Sequence, residues 1–380
     1  MNGQPGILIA TTIPETLRAF LVPYACYFRG LGWRVDAIAK GAAKCDDLAI
    51  HFDRLIDAEW TRNPFDFSSL SAGRMIRETV AAGGYDIVHV HTPVASFVTR
   101  WALRDLKKSG KPAVVYTAHG FHFYKGGARW SNLLYRRLER LAGRWTDRLI
   151  VINREDCEAA GKYSIVPADR IAYMPGIGLD FSRYDPETVS REDVQQIRGR
   201  LGLKNDDILF TVIGEFNPAK RQSDVIHAMS KLPAGISAHA AFAGEGPLKD
   251  RMTALSDSLG LSKKIHFMGF FKHIPHLILA SRAVLVPSER EGLSRTAMES
   301  ACLGVPIIGS DARGVRDVVQ QGRGLLYPTG DVLALRDAMQ QLCEEPHPPV
   351  APDPEWRIEH LLRLHRKLYE ELMGTQRTGE

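Results

Sequence analysis

The chain has 380 residues, of which 44% are hydrophobic and 24% charged, and a formal net charge of +5 at pH 7. That length exceeds what one ordinary core holds and predicts two domains. The composition excludes a disordered or fibrous chain, and so mild a charge gives no reason to expect nucleic acid as a partner.

The five cysteines, Cys26, Cys45, Cys157, Cys302 and Cys343, are odd in number and form no Cys-x-x-Cys. This speaks against a disulfide framework and against a metal site, and for a reducing compartment. The apolar run at residues 6–10 is too short for a secretory leader, and no stretch approaches the ~18 apolar residues of a membrane span. The expected location is the cytoplasm, including attachment to the inner face of the cell membrane.

In chain order, residues 7–11 read as a first buried strand, 15–31 as a helix despite Pro23, and 33–39 as a second strand. A helix over 69–82, a strand over 86–90, a helix over 95–108 and a strand over 113–117 follow. A helix over 129–143 and a strand over 148–152 complete this half. Such alternation predicts a parallel, doubly wound sheet and hence one Rossmann-like domain over 1–180. The first strand leads into Thr11-Thr-Ile-Pro14 rather than G-x-G-x-x-G, so an oxidoreductase with a dinucleotide site is disfavoured.

After a turn-rich stretch the alternation restarts. Strands are predicted over 208–213, 238–243, 265–267, 283–286, 306–308 and 324–327, with helices over 221–231, 248–259 and 332–343 and a short one near Pro275. This is a second Rossmann-like domain over 181–345. Residues 346–354 are proline-rich and read as a stiff linker. Residues 355–373 read as a last amphipathic helix. Two facing Rossmann-like domains make an interdomain cleft the default ligand site.

The stretch Ser288-Glu-Arg-Glu-Gly-Leu-Ser-Arg-Thr-Ala-Met-Glu-Ser300 carries the densest chemistry. It follows the apolar strand that Pro287 closes, and Ser294 begins a helix. Strand, turn and helix in that order put the turn at the carboxyl end of a strand, where open α/β sheets bind ligands. Free amides at Gly292, Leu293 and Ser294 would face an anion at the helix start. Glu291 on the turn could reach a ligand's outer end, and Glu299 on the helix could accept from paired hydroxyls. Read from the residues alone, the pair also fits a capped helix with a solvated glutamate at each end.

This E-x7-E spacing resembles the signature of retaining glycosyltransferases of GT-B architecture, the large family 4. There the first glutamate holds the donor sugar and the second the nucleotide ribose. The resemblance implies an α/β fold, GT-B, with two Rossmann-like domains, an interdomain cleft and a C-terminal crossover helix that packs back on the N-terminal domain. Met174-Pro-Gly-Ile-Gly-Leu-Asp180 is similar to the family's interdomain crossover. Ile213-Gly-Glu-Phe-Asn-Pro-Ala-Lys-Arg221 matches the family's G-R-(L/F)-x-x-x-K at Lys220, which the resemblance assigns to the donor diphosphate. Glu215 takes the place of the family's arginine, and a carboxylate there repels phosphate. Arg221 or, better, Arg295 is expected to supply the missing charge.

Val115-Tyr-Thr-Ala-His-Gly-Phe-His-Phe-Tyr-Lys-Gly126 resembles a bacterial exopolysaccharide, capsule and lipid-linked-oligosaccharide subset of the family. His119 falls on the family's N-domain histidine, at the donor sugar's reacting end, and Gly120 would let backbone approach the ligand. His122 and Tyr124 line the acceptor path or simply pack. In Ala243-Gly-Glu-Gly-Pro-Leu248, Gly244 and Gly246 contact the nucleotide or merely permit the turn. No role falls to Asp317.

The resemblance therefore implies a hexosyltransferase that takes a UDP-linked donor and needs no metal and no other cofactor. His119, Lys220 and Glu291 are the catalytic candidates. Gly120, Gly244, Gly292, Leu293, Ser294, Arg295 and Glu299 are the donor-binding candidates. The implied acceptor is a polyprenyl-diphosphate-linked glycan in surface polysaccharide synthesis. Lys125, Arg129, Trp130, Arg136 and Arg137, with Arg140, Arg144 and Trp145 beyond them, form a basic-aromatic stretch that could rest on anionic headgroups or be an ordinary solvated helix face. Two readings compete with the transferase: a GT-B-fold nucleotide-sugar epimerase, and a non-catalytic homologue that binds a nucleotide sugar.

Overall fold

A computed structural model of the protein describes residues 4–60, 68–106 and 112–377, the side chains of 68–70 and 375–377 excepted. The chain divides into two compact units, Met1–Gly178 with Ile358–Glu380, and Leu179–Arg357.

The first unit is built on seven strands, β1 (Gly6–Ala10), β2 (Arg34–Ala39), β3 (Arg54–Asp57), β4 (Ile87–His91), β5 (Ala113–Ala118), β6 (Arg148–Val151) and β7 (Ile171–Tyr173). They pair in parallel in the order β3-β2-β1-β4-β5-β6-β7. Successive side chains of a strand point to opposite faces. Ile7 and Ile9 accordingly join Val35, Ile87 and Val115 on one face, beneath Phe28 of helix Val22–Gly30 and Leu361, Leu368 and Tyr369 of helix Ile358–Arg377. Leu8 and Ala10 join Val88, Val114 and Leu149 on the other, beneath Ala72, Ile76 and Val80 of helix Ser68–Gly83. Both faces are covered, which is why the central strands β1, β4 and β5 are buried along their whole length.

The helix predicted over 15–31 is continuous but not uniform. Pro23 has no amide hydrogen to bond backwards, and its ring crowds the preceding turn. The chain responds with a wide i→i+5 turn over Leu17–Leu21 before α-helix resumes at Val22. The helix expected over 95–108 runs Pro93–Leu103; residues 107 and 108 lie outside the described residues. Strands β3 and β7 were not expected at all. They are the outermost strands, four and three residues long, and none of their residues is buried.

The second unit carries β8 (Ile208–Ile213), β9 (Ala238–Ala243), β10 (Ile265–Gly269), β11 (Ala283–Val286), β12 (Ile307–Ser310) and β13 (Gly324–Tyr327), in the order β10-β9-β8-β11-β12-β13 and parallel throughout. Phe210, Val212, Leu285 and Ile308 pack on one face, and Leu209, Val284, Val286 and Ile307 on the other. The proline-rich stretch is not a free spacer. Val350 is buried, its amide donates to Gly304 O, and Arg323 Nε donates to Ala351 O at 2.7 Å.

In each sheet the strand order reverses beside the first strand, between β1 and β4 and between β8 and β11. Loops leaving those two strands diverge to opposite faces and open a crevice at the carboxyl ends of the strands.

Candidate active site

In the second unit the loops after β8 and β11 meet at this reversal. Asn217 caps the short turn Pro218–Lys220 by accepting from the Lys220 amide, and Glu289 N–H donates to Ala219 O at 2.8 Å, stitching one loop to the other. The Lys220 side chain crosses Gly214, where a Cβ would stand 3.5 Å from its Cε. Lys220 Nζ then donates to Glu291 Oε1 at 2.5 Å, and Ser288 Oγ donates to the same oxygen at 2.7 Å. The two charged side chains are 28% and 17% exposed, so a ligand in the crevice can reach both.

Glu299 lies on helix Arg295–Cys302, capped by Ser294, whose side chain accepts from the Ala297 amide. Its carboxylate is buried and accepts from Tyr184 OH at 2.6 Å and Arg295 Nε at 2.9 Å, both at Oε1. Burial, with Glu299 adding to it, pushes the Tyr184 phenol up to about 12. Neither Tyr184 nor Ser288 was singled out from the sequence.

The amide cradle is smaller than expected. Ser294 N–H donates to Gly314 O at 2.9 Å and Glu291 N–H to Arg313 O at 3.0 Å. Gly314 has φ +72° and sits so close that a Cβ would fall 2.4 Å from Gly292 O. The loop after β12, to which no role was assigned, thus braces the turn. Only the Gly292 and Leu293 amides, of the three expected, make no hydrogen bond among the described residues.

The two cations expected to offset Glu215 each have a carboxylate partner within the second unit. Arg295 directs its guanidinium to Glu299, because residues four apart share a helix face. Arg221 has a left-handed backbone, φ +49°, and its Nε donates to Asp224 Oδ2 at 2.7 Å, beside Gly330. Glu215 has an exposed carboxylate that accepts from Asn217 Nδ2 at 3.0 Å. Gly244 is explained by its own backbone. At φ +156° a Cβ there would lie 2.0 Å from Gly214 O, and its amide donates to Gly269 O.

In the first unit His119 and Gly120 follow β5. Gly120 has φ +122°, a conformation that favours glycine. His119 is half-buried, and its Nε2 lies 2.9 Å from Nδ1 of buried His91 at the end of β4. His91 packs at a tilt on His89 with centroids 4.1 Å apart, and the His89 ring lies 5.8 Å from that of His365 of the C-terminal helix. His89 also bonds Tyr369 OH at 2.5 Å and Thr117 Oγ1 at 2.7 Å. Burial, with His365 adding, lowers the His119 imidazole to about 4, and burial lowers His365 to about 4. All these rings are neutral at pH 7. The residue after His91 is strained: Thr92 has φ +63°, an outlier for a β-branched side chain, and its hydroxyl holds Thr12 Oγ1 at 2.7 Å across the strand reversal.

The basic helix runs Arg129–Gly143. Glu139, its one acid, is drawn inward to Arg100 Nη2 at 2.9 Å. Trp130 is 74% exposed, and Leu133, Leu134 and Leu141 are exposed beside Arg129, Arg137, Arg140 and Arg144. Arg136 does not belong to that face. Its Nε donates to Asn132 O, and its guanidinium lies 4.5 Å from the Tyr163 ring centroid. Lys125 is exposed, with its amide donating to Glu155 Oε1. Trp145 is half-buried, and His122 packs at 5.0 Å on Tyr135.

Two Rossmann-like units, the second with a carboxylate pair after its switch-point strand, define the GT-B class of sugar transferase. Comparison with known proteins gives the same answer. Residues 23–177 match the model described as Glycosyltransferase Family 4, and residues 193–355 that described as Glycosyl transferases group 1. The Bacillus subtilis (strain 168) protein named "Putative glycosyltransferase EpsD" is 34% identical over 342 residues, covering 90% of this chain and 88% of that protein. The Escherichia coli UDP-Gal:alpha-D-GlcNAc-diphosphoundecaprenol alpha-1,3-galactosyltransferase is 28% identical, covering 69% of this chain and 67% of that one. Among solved structures, Anabaena Alr3699/HepE in complex with UDP and glucose superposes with a TM-score of 0.79 at 19% identity, over 97% of this chain and all of that one. The chain belongs to glycosyltransferase family 4.

Proposed function

We propose that the enzyme moves a hexosyl group from a UDP-linked donor to a polyprenyl-diphosphate-linked glycan, with retention at the anomeric carbon. The observation that carries this reading is the Lys220–Glu291 contact at 2.5 Å, which joins two sequence-distant motifs at the reversal of the second sheet. The names of the relatives support its direction, since the E. coli enzyme takes UDP-Gal and a diphosphoundecaprenol-linked sugar, and the Anabaena structure holds UDP and glucose.

The chemistry follows from charge. As the anomeric bond breaks, the sugar becomes cation-like and the diphosphate more anionic, and fixed donors stabilise that departing charge. Lys220 exchanges Glu291 for the diphosphate, a charge-assisted bond contributing roughly 1.5–3 kcal/mol. The Gly292 and Leu293 amides and the helix that Ser294 caps add up to about 2 kcal/mol. Glu291, released from Lys220, takes sugar hydroxyls, and Glu299 takes those of the ribose. Arg295 and Tyr184 hold Glu299 in position. The leaving phosphate serves as base for attack on the same face. His119 acts on the sugar.

No helix among the described residues is long and apolar enough to cross a membrane. The exposed Trp130, Leu133 and Leu141 with their flanking arginines instead suit the headgroup layer, where a lipid-linked acceptor presents its sugar.

The test is a donor and acceptor screen with the purified chain. UDP release and a new lipid-linked glycan, α-configured from an α-configured donor, are expected. Epimerised donor in the absence of acceptor, or no turnover with any nucleotide sugar, would overturn the reading.

A further inference from the structure

We propose that His91 is a positioning residue that donates its Nδ1–H to His119 Nε2 and so fixes His119 as the neutral tautomer with its proton on Nδ1. A neutral imidazole has one N–H, and its partner decides which nitrogen carries it. His91 Nε2 is buried and makes no hydrogen bond. A proton there would be an orphaned buried donor, a rarer and costlier arrangement than an orphaned acceptor. On Nδ1 the same proton meets His119 Nε2 at 2.9 Å. His119 Nε2 is then an acceptor, so the His119 proton sits on Nδ1, the ring nitrogen that makes no hydrogen bond among the described residues.

The surroundings hold this arrangement. His89 packs on His91 at 4.1 Å and is itself fixed from both ends by Tyr369 and Thr117. Phe20 stacks on His119 at 6.3 Å, and His365 reaches the group from the C-terminal helix, its own Nδ1 bonded to Leu361 O. None of these neighbours is an acid, so nothing among them would balance an imidazolium. Protonating His119 would also put an N–H on Nε2 against the His91 N–H, forcing the His91 proton onto its partnerless Nε2. The direction of the His119 shift, downward to about 4, agrees.

Resting on the transferase reading, the inference says what kind of group His119 is. It offers sugar hydroxyls a neutral, fixed donor on Nδ1 and takes no part in proton transfer. That fits a displacement in which the leaving phosphate is the base.

The test uses the full chain labelled with nitrogen-15 at histidine, His119 being assigned by loss of its signals in H119Q. Long-range proton–nitrogen spectra at neutral pH are expected to show His119 protonated on Nδ1. His91→Leu should let His119 drift to the Nε2–H form. It should also lower kcat about tenfold, the rate equivalent of one hydrogen bond of about 1.4 kcal/mol, with donor KM little changed. His91→Asn, whose amide nitrogen reaches the position of Nδ1, should restore tautomer and rate together. An Nε2–H His119 in the wild type, or equal behaviour of the Leu and Asn variants, would overturn the proposal. If the wild type turned over no donor, the transferase reading would fail, and the spectra would still decide the histidine pair.

Discussion

The two units repeat one sheet plan and fill its reversal point in opposite ways. After β8 and β11, Glu291 and Glu299 each lie against a cation, Lys220 and Arg295. After β4 and β5, imidazoles pack on one another at a tilt and burial holds them neutral, the ring centroids of His91 and His119 lying 5.2 Å apart. The first arrangement suits a ligand that is itself charged. In the proposed reaction the carboxylate would hold the lysine in place until a diphosphate replaced it, an exchange that would keep charge balanced. The second suits hydroxyls, which need directed donors and acceptors and no counter-ion. One chain thus carries a charge-bearing cluster in its second unit and a neutral one in its first.

Removing a charge from the paired site should therefore have the largest effect. Lys220→Ala is expected to lower kcat by about 10- to 150-fold, the rate equivalent of roughly 1.5–3 kcal/mol of lost leaving-group stabilisation. Thermal stability should change little, since Glu291 keeps Ser288 and both side chains reach solvent. Rates with saturating donor and a melting curve check both halves. A variant with near wild-type turnover would show that the lysine serves only to hold the turn.

Glu299→Ala comes next and tests whether the second pair is structural as well as binding. It strips Tyr184 and Arg295 of a shared acceptor in a buried position. Because Arg295 is 38% exposed, water can compensate part of the loss, so we expect about 1–3 kcal/mol of destabilisation rather than the full cost of an orphaned buried charge. UDP affinity should fall as well. Calorimetric titration of UDP separates the two effects, and Glu299→Gln should recover more of the stability than of the affinity.

The neutral site should show itself through pH. His365 titrates near 4 in the folded chain because burial disfavours its cation, against about 6.5 unfolded. Its stabilising contribution is full above pH 6.5 and is lost as pH falls through the folded value, because the unfolded chain binds the proton first. The expected slope is up to about 1.4 kcal/mol per pH unit for each such histidine between pH 6.5 and 4. Melting temperatures measured across that window should fall for the wild type and fall less steeply for His365→Leu. Equal slopes would place the acid sensitivity elsewhere.

The same division governs what the sequence shows. All six strands of the second sheet are legible because each is a mostly apolar run with a glycine or proline at or near its end. In the first sheet β3 and β7 escape, since short half-exposed edge strands need no apolar run. Glu291, Glu299, Lys220 and His119 are legible because each follows a strand within a recognisable motif. Two of their partners, Tyr184 and His91, are not. Tyr184 lies 115 residues from Glu299, and His91 lies 28 from His119. Only the folded sheets bring them together, and neither partner belongs to a motif. Arg295 shows the converse: a motif suggests a phosphate partner, while simple helical spacing accounts for its contact with Glu299.

The smallest effect on stability is expected on the helix Arg129–Gly143, whose exposed side chains belong to neither site. Trp130 is 74% exposed, so Trp130→Ser should shift stability by less than about 0.5 kcal/mol. If the face meets lipid, the same change removes an aromatic anchor from a surface whose single acid is already spent on Arg100. Sedimentation with anionic vesicles should then fall at low salt, and Arg137→Glu with Arg140→Glu should abolish it by reversing two charges. Turnover of a short, water-soluble acceptor should stay unchanged in both variants, while turnover of a polyprenyl-linked acceptor in vesicles drops. Loss of both activities together would move this helix into the reaction site. Loss of neither would leave it an ordinary solvated face and place the acceptor in solution.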